Sequence, residues 1–225
     1  APRQVIAAAQ KALQDELLGY TDSMGIAELR QRIARHYGDF YGVGIDPARL
    51  VVTTGSSGGF LLSFLSAFEP GDRVAMAAPG YPAYRNILTA LGVEPVLLET
   101  TAADRFQPTP GHLQAAAGDL DGLILASPSN PTGTMVGRAE LEALVAWCRE
   151  AGVRLISDEI YHGITYGSPG VTAAGLDDDA IVINSFSKYF SMTGWRLGWM
   201  VAPEALLRPI ECLTQNLFIS PPSLS

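Results

Sequence analysis

The chain has 225 residues, of which 48% are hydrophobic and 17% charged, enough apolar side chain to close a core and too little charge for a disordered polypeptide. Fifteen Lys and Arg against twenty-three Asp and Glu give a formal charge of −8, which argues against an electrostatic grip on nucleic acid or anionic lipid and leaves small molecules as the expected ligands. The two cysteines, Cys148 and Cys212, are too few for a disulfide scaffold; with no apolar run of membrane length and no leader in Ala1 to Gln10, the expectation is a soluble protein of the reducing cytoplasm. An opening without methionine and an end at Ser225 suggest a piece of something longer.

Val5, Ala9, Leu13 and Leu17 recur at i, i+4 spacing and predict a first amphipathic helix. Leu29, Ile33 and Tyr37 predict a second, with Gly25 at the junction. Leu50 to Thr54 is a short β-branched run that ends in Gly55-Ser56-Ser57-Gly58-Gly59, after which Phe60, Leu61, Phe64, Leu65 and Phe68 resume helical spacing up to Pro70-Gly71. Further strands are predicted near Arg73 to Ala77, Pro95 to Leu98, Gly122 to Ala126, Arg154 to Ser157 and Ala180 to Asn184, separated by helices such as Arg138 to Glu150. The stretch from Arg196 to Ser225 reads as one more strand followed by a helix, Glu204 to Leu217. This alternation predicts an α/β fold, a mostly parallel sheet sandwiched by helices, with strands buried on both faces and ligand-binding loops beyond their carboxyl ends.

Chemistry-bearing residues cluster after the predicted strands. Only Lys11 and Lys188 are lysines. Lys11 falls on the polar side of the first helix, whereas Lys188 follows an apolar strand, with Phe and Tyr neighbours that should keep water from its ammonium and with Arg196 eight residues on. A desolvated lysine near a second cation suits an amine nucleophile that forms Schiff bases, although a surface lysine in a loop has the same local sequence. Asp158 ends a buried strand, where a carboxylate needs a partner or caps a helix. Asn130, in Ser129-Asn130-Pro131-Thr132-Gly133, faces the same crevice or merely shapes a turn. The Gly55 to Gly59 turn matches neither the dinucleotide nor the phosphate-loop glycine motif, yet a helix opening on small residues offers amides to one phosphate group.

Together these features resemble the fold-type I pyridoxal-phosphate enzymes, specifically the class I/II aminotransferases. The match is carried by Ser129-Asn130-Pro131-Thr132-Gly133, by Asp158-Glu159-Ile160-Tyr161, and by Ser185-Phe186-Ser187-Lys188 with Arg196 and Gly198. It runs from about residue 1 to residue 225 and implies that the chain is the pyridoxal 5′-phosphate-binding large domain. The N-terminal arm and most of the small domain would be missing, including the arginine that holds the substrate α-carboxylate, so the isolated segment is expected to turn over poorly. The resemblance assigns Lys188 as the amine that holds the cofactor and shuttles the substrate proton, and Asp158 as the partner of the pyridine nitrogen. Asn130 and Tyr161 become donors to the phenolic oxygen, and Tyr81 the aromatic that stacks on the ring. It gives the phosphate to Arg196, Ser185 and the Ser56 and Ser57 region. Tyr20 would reach the neighbouring site of a homodimer. By local context alone, Tyr81 is also an ordinary core aromatic and Tyr20 a loop aromatic.

The activity implied is transfer of an amino group between an L-amino acid and a 2-oxo acid. A C–S β-lyase shares the same lysine, aspartate and arginine, and a non-catalytic cofactor-holding domain would retain Lys188. Ser185-Phe186-Ser187-Lys188 also fits the S-x-x-K of penicillin-recognising hydrolases, but no later lysine completes that motif. His36 and His112 lack companion ligands, so no metal site is expected, while His162, next to Tyr161, either lines the crevice or is an outward or helix-packed histidine.

Overall fold

Gly122–Ala126, Arg154–Asp158 and Ile181–Ser185 are aliphatic runs too short for helices, and in the computed structural model, which describes residues 1–116 and 118–224, they lie at the centre of a seven-stranded sheet. In chain order the strands are β1 (Leu50–Thr53), β2 (Arg73–Ala78), β3 (Glu94–Glu99), β4 (Gly122–Ala126), β5 (Arg154–Asp158), β6 (Ile181–Ser185) and β7 (Gly198–Val201). Their spatial order is β1-β7-β6-β5-β4-β2-β3. The pairs from β3 through β2, β4 and β5 to β6 are parallel; β7 runs antiparallel between β6 and β1.

Alternation along each strand sends side chains to two separate cores. On one face Val52, Leu123, Leu125, Leu155, Val182 and Trp199 pack against α2 (Ala27–Tyr41), α5 (Pro110–Ala115) and α6 (Arg138–Ala151), which contribute residues such as Tyr37, Leu113 and Leu144. On the other, Val51, Met76, Ile124, Ile156, Ile183 and Met200 meet α3 (Gly55–Ala67), α4 (Pro82–Ala90) and α7 (Glu204–Leu217) through Phe60, Phe64, Leu88 and Ile210. The parallel pairing of β4, β5 and β6 thereby brings the loops after them to one end of the sheet.

Three expectations need correction. The first helix, α1 (Arg3–Asp15), stops short of Leu17, and none of its residues is buried; Leu13 is 59% exposed and Leu17 99%. Of its apolar stripe only Val5 and Ala9 are partly covered, so spacing alone overstates its burial. Not every strand is buried on both faces: β3 is the sheet edge, and of its residues only Leu98 is buried. Two short helices went unanticipated. α4 begins with Pro82 at its first turn, and α5 begins with Pro110 behind a Thr109–His112 capping box, so His112 serves as a cap. Cys148 is buried, and Cys212 is partly exposed. Among the described residues no helix is long and apolar enough to cross a membrane.

Leu123, fully buried on the central strand β4, offers a direct check of the first core. Leu123→Ala should lower unfolding free energy by about 2–5 kcal/mol, read as a fall in the urea midpoint without change in slope.

Candidate active site

Asp158 is the last residue of β5, and register sets it beside Ala126 of β4 and Ile183 of β6. β4 therefore delivers the turn that contains Asn130, and β6 delivers the loop that contains Lys188, to the same edge. Gln107 braces the first of these: its side-chain amide donates to Ala126 O at 3.2 Å and Thr134 O at 2.8 Å. The second closes through Ser191 N–H to Lys188 O at 3.0 Å and Met192 N–H to Phe186 O at 3.1 Å. Between these loops and the start of α3 lies a cavity of about 220 Å³.

Ser56, Ser57, Tyr81, Asn130, Asp158, Tyr161, Lys188 and Arg196 line that cavity. Asn130 Nδ2 donates to Tyr161 Oη at 3.5 Å, and Lys188 Nζ stands 5.6 Å from the centroid of the Tyr161 ring. Two expected members are not brought in. Ser185 is buried, with its hydroxyl donating to Ser187 Oγ and Leu197 O; Ser187 lines the cavity in its place. The same engagement leaves no S-x-x-K serine facing the cavity. Tyr20, 83% exposed, stands outside the lining.

Lys188 is also more open than expected. Phe186 and Phe190 do not cover it but turn inward onto Trp199, with ring centroids 4.9 and 6.5 Å from the indole, and Lys188 itself is exposed. Flanking aromatics were read as a shield because the sequence does not show to which side of the loop each one points.

Arg196 adopts a left-handed backbone, φ 54°, at a cost of roughly 1–2 kcal/mol for a residue with a Cβ. That turn carries its guanidinium to the first residues of α3: a Cβ built on Gly55 would lie 2.6 Å from Arg196 Nη2. A Cβ on Gly198 would lie 2.9 Å from Gly55 C and 3.0 Å from Ser56 N. Both glycines let a cation and a strand crowd onto open helix amides, and charge-assisted bonds to a phosphate, roughly 1.5–3 kcal/mol each, outweigh the backbone cost. Among the described residues no carboxylate pairs with Arg196; its guanidinium donates to Thr193 O at 2.9 Å.

The acid at the far end is buried. Burial pushes the Asp158 carboxyl up from 3.8 to about 6, against the pull of hydrogen bonds from Tyr84 Oη and from Ile160 N–H at 3.0 Å. Tyr84 was missed in the sequence, where nothing marks it apart from Tyr81. Behind Asp158 a second carboxyl, Glu159, accepts from Ala173 N–H at 2.8 Å and Ser157 Oγ at 3.1 Å, while its Oε2 lies 3.5 Å from His162 Nδ1. Burial pushes Glu159 up to about 7 and His162 down to about 4, so between those values the two face each other as a neutral pair. His162 is thus a buried partner of Glu159 and of Tyr41 Oη, at 2.8 Å, away from the cavity lining. Among the described residues no cluster of three or more His, Cys, Asp or Glu could hold a metal ion.

The family model described as aminotransferase class I and II matches residues 1–224. The chain belongs to this family. It is 52% identical over 227 residues to the valine–pyruvate aminotransferase of Mycobacterium tuberculosis, covering 100% of this chain and 58% of that protein. An aminotransferase structure from Mycobacterium tuberculosis matches with TM-score 0.97 at 51% identity, over 100% of this chain and 62% of the other. Thermus thermophilus aspartate aminotransferase with maleate matches with TM-score 0.94 at 28% identity, over 99% and 59%. The chain thus spans about three-fifths of the length of these relatives.

Members of the aminotransferase class I and II family use pyridoxal phosphate, and the donor set suits it. An arginine that pairs with no carboxylate among the described residues stands beside helix amides that a Cβ on Gly55 or Gly198 would crowd; a buried carboxyl, an accessible amine and a half-exposed tyrosine complete the cavity.

Gly198→Ala should lower stability and weaken pyridoxal phosphate binding about tenfold, measured by absorbance titration, because its Cβ would press on the backbone of Asn184, Gly55 and Ser56 and force the helix start to shift. The buried carboxyls set a second expectation. Between about pH 4 and 7 the folded protein keeps protons on Asp158 and Glu159 that the unfolded chain has released, so stability falls as pH rises. His162 acts oppositely between about 4 and 6.5, since only the unfolded imidazole is protonated there. Glu159→Gln, whose amide can donate to His162 Nδ1, should flatten the fall in urea midpoint between about pH 5 and 7 in the cofactor-free protein.

Proposed function

We propose that this chain holds pyridoxal phosphate through Lys188 and forms the cofactor-binding large domain of an enzyme that moves an amino group between an L-amino acid and a 2-oxo acid. The observation that carries this reading is the convergence of Lys188, Asp158 and Arg196 on one cavity. Arg196, the amides at Ser56 and Ser57 and the nearby Ser187 would hold the phosphate, with Ser185 supporting Ser187 from behind. Tyr81 would lie against the ring, and Asn130 and Tyr161 would donate to its phenolic oxygen. Asp158 would keep the ring nitrogen protonated.

Bound at this site, the cofactor supplies an electron-withdrawing ring that accepts the electron pair left at the substrate Cα. With the cofactor in place, Lys188 Nζ would be the base that accepts the substrate Cα proton and returns it, and its exposure leaves room for that movement. Tyr161, whose ring faces Nζ at 5.6 Å, limits where that amine can swing. The buried carboxyl of Asp158, drawn down by a cationic neighbour, fixes the charge that opposes the ring. The same lysine would serve a second oxo acid by the reverse proton movements, so ping-pong kinetics are expected.

The identity of 52% to a valine–pyruvate aminotransferase makes valine and pyruvate the first pair to assay. A homodimer in which Tyr20 reaches the neighbouring site accords with the 83% exposure of Tyr20 and with exposed Leu13, Leu17 and Leu18 close by. A cytoplasmic location accords with the free Cys148 and Cys212.

Added pyridoxal phosphate should give the wild type a visible band that borohydride removes, leaving the ring attached to the protein by mass. Lys188→Ala should show neither effect. Identical spectra and masses for the two proteins would overturn the assignment of Lys188.

A further inference from the structure

Asp158 is held by a group that lies far from it in sequence. Tyr84 is carried by α4, which follows β2, and β4 separates β2 from the β5 that ends in Asp158. The tyrosine reaches across that interval to donate its phenol to Asp158 Oδ2, while the backbone N–H of Ile160 takes Oδ1 at 3.0 Å. Each carboxylate oxygen therefore has one fixed donor, and the carboxylate plane is set from two sides. Tyr84 is 4% exposed and its ring is gripped in turn, 5.0 Å from Phe60 and edge-on to Tyr81 at 5.4 Å.

We propose that Tyr84 is a positioning residue for Asp158, whose phenol orients the carboxylate toward the cavity and favours the ionised form that pairs with a protonated ring nitrogen. The inference rests on the reading of Asp158 as the partner of that nitrogen. A hydrogen bond donated to a carboxylate stabilises the charge, and here it opposes burial. The other groups facing Asp158 pull in both directions: Glu159, next in the chain, disfavours its charge, and Lys188, from the loop after β6, favours it. Tyr161 and Tyr81 face the Tyr84 hydroxyl. Tyr84 itself stays protonated, because burial and the adjacent Asp158 push its phenol well above the ordinary range. While Asp158 is ionised it can only accept, so the phenol donates throughout that range.

Tyr84 also joins two features of the site. Through its ring it sets the aromatic face of Tyr81, and through its hydroxyl it sets the acid, so ring stacking and ring-nitrogen pairing share one support.

The test is a carbon-13 NMR titration of the Asp158 carboxyl in the cofactor-free protein, its resonance assigned by loss in Asp158→Asn. Tyr84→Phe keeps the ring between Phe60 and Tyr81 and removes only the donor, and should raise the titration midpoint by about one pH unit. Pyridoxal phosphate should then bind about fivefold more weakly at pH 6, the ratio of ionised fractions for that shift, with the difference vanishing near pH 8. An unchanged midpoint in folded Tyr84→Phe would overturn the proposal. A raised midpoint with unchanged cofactor affinity at pH 6 would uphold the Tyr84–Asp158 coupling and overturn Asp158 as the nitrogen's partner. Should Tyr84→Phe not fold, 3-fluorotyrosine at position 84 keeps the shape and strengthens the donor. It should lower the midpoint, and no movement there would equally overturn the proposal.

Discussion

Parallel register across β4, β5 and β6 aligns Ala126, Asp158 and Ile183 in one row, and the cavity depends on that alignment. A shift by one residue would turn Asp158 from the face beside α3 and α4 to the face beside α6, because side chains alternate along a strand. The register is protected on both faces. Leu123, Leu125 and Leu155 enter one core while Ile124, Ile156 and Ile183 enter the other, so slippage would exchange two well-packed sets at once. The chemistry at the strand ends is therefore secured by apolar packing along their length.

Burial acts on the two adjacent carboxyls in different settings. Asp158 has its hydrogen-bond donors on one side and a cavity on the other, where a cationic ring can complete its partners. Glu159 faces the opposite way, into Ser157, Ala173 and the neutral imidazole of His162. Consecutive residues on a strand end point to opposite faces, and this separates an acid open to ligand from one enclosed by protein.

Much of the fold was legible in the sequence because the central strands are uninterrupted aliphatic runs and the helices between them keep their spacing. Lys188, Asp158, Asn130 and Arg196 were legible because they lie at or near strand ends, within motifs that together carry the family resemblance. Tyr84 was not, since a tyrosine in the first turn of a short helix looks like any core aromatic until its distant acceptor is located. Ser185 and Ser187 lie two residues apart, and periodicity could not say which would face the cavity. The desolvation expected for Lys188 failed for a related reason: Phe186 and Phe190 were close in sequence, but Trp199, from β7, claimed them. The open stripe of α1 illustrates the converse limit, since apolar spacing records a face suited to contact without recording what meets it.

The antiparallel pairing of Ser185 with Gly198 makes residues 186–197 a single arch closed at its base. Lys188 stands near one foot of the arch and Arg196 near the other, so the span between amine and guanidinium is a property of one loop, independent of how the larger sheet flexes. Asp158 ends β5, the strand beside the arch's first foot, so its distance from that span is set by the sheet register. Lengthening the arch would uncouple the amine from the guanidinium while leaving every strand intact. Lengthening the segment between His162 and Thr172 would not touch that spacing, which makes one loop intolerant of insertion and its neighbour a place where size can vary.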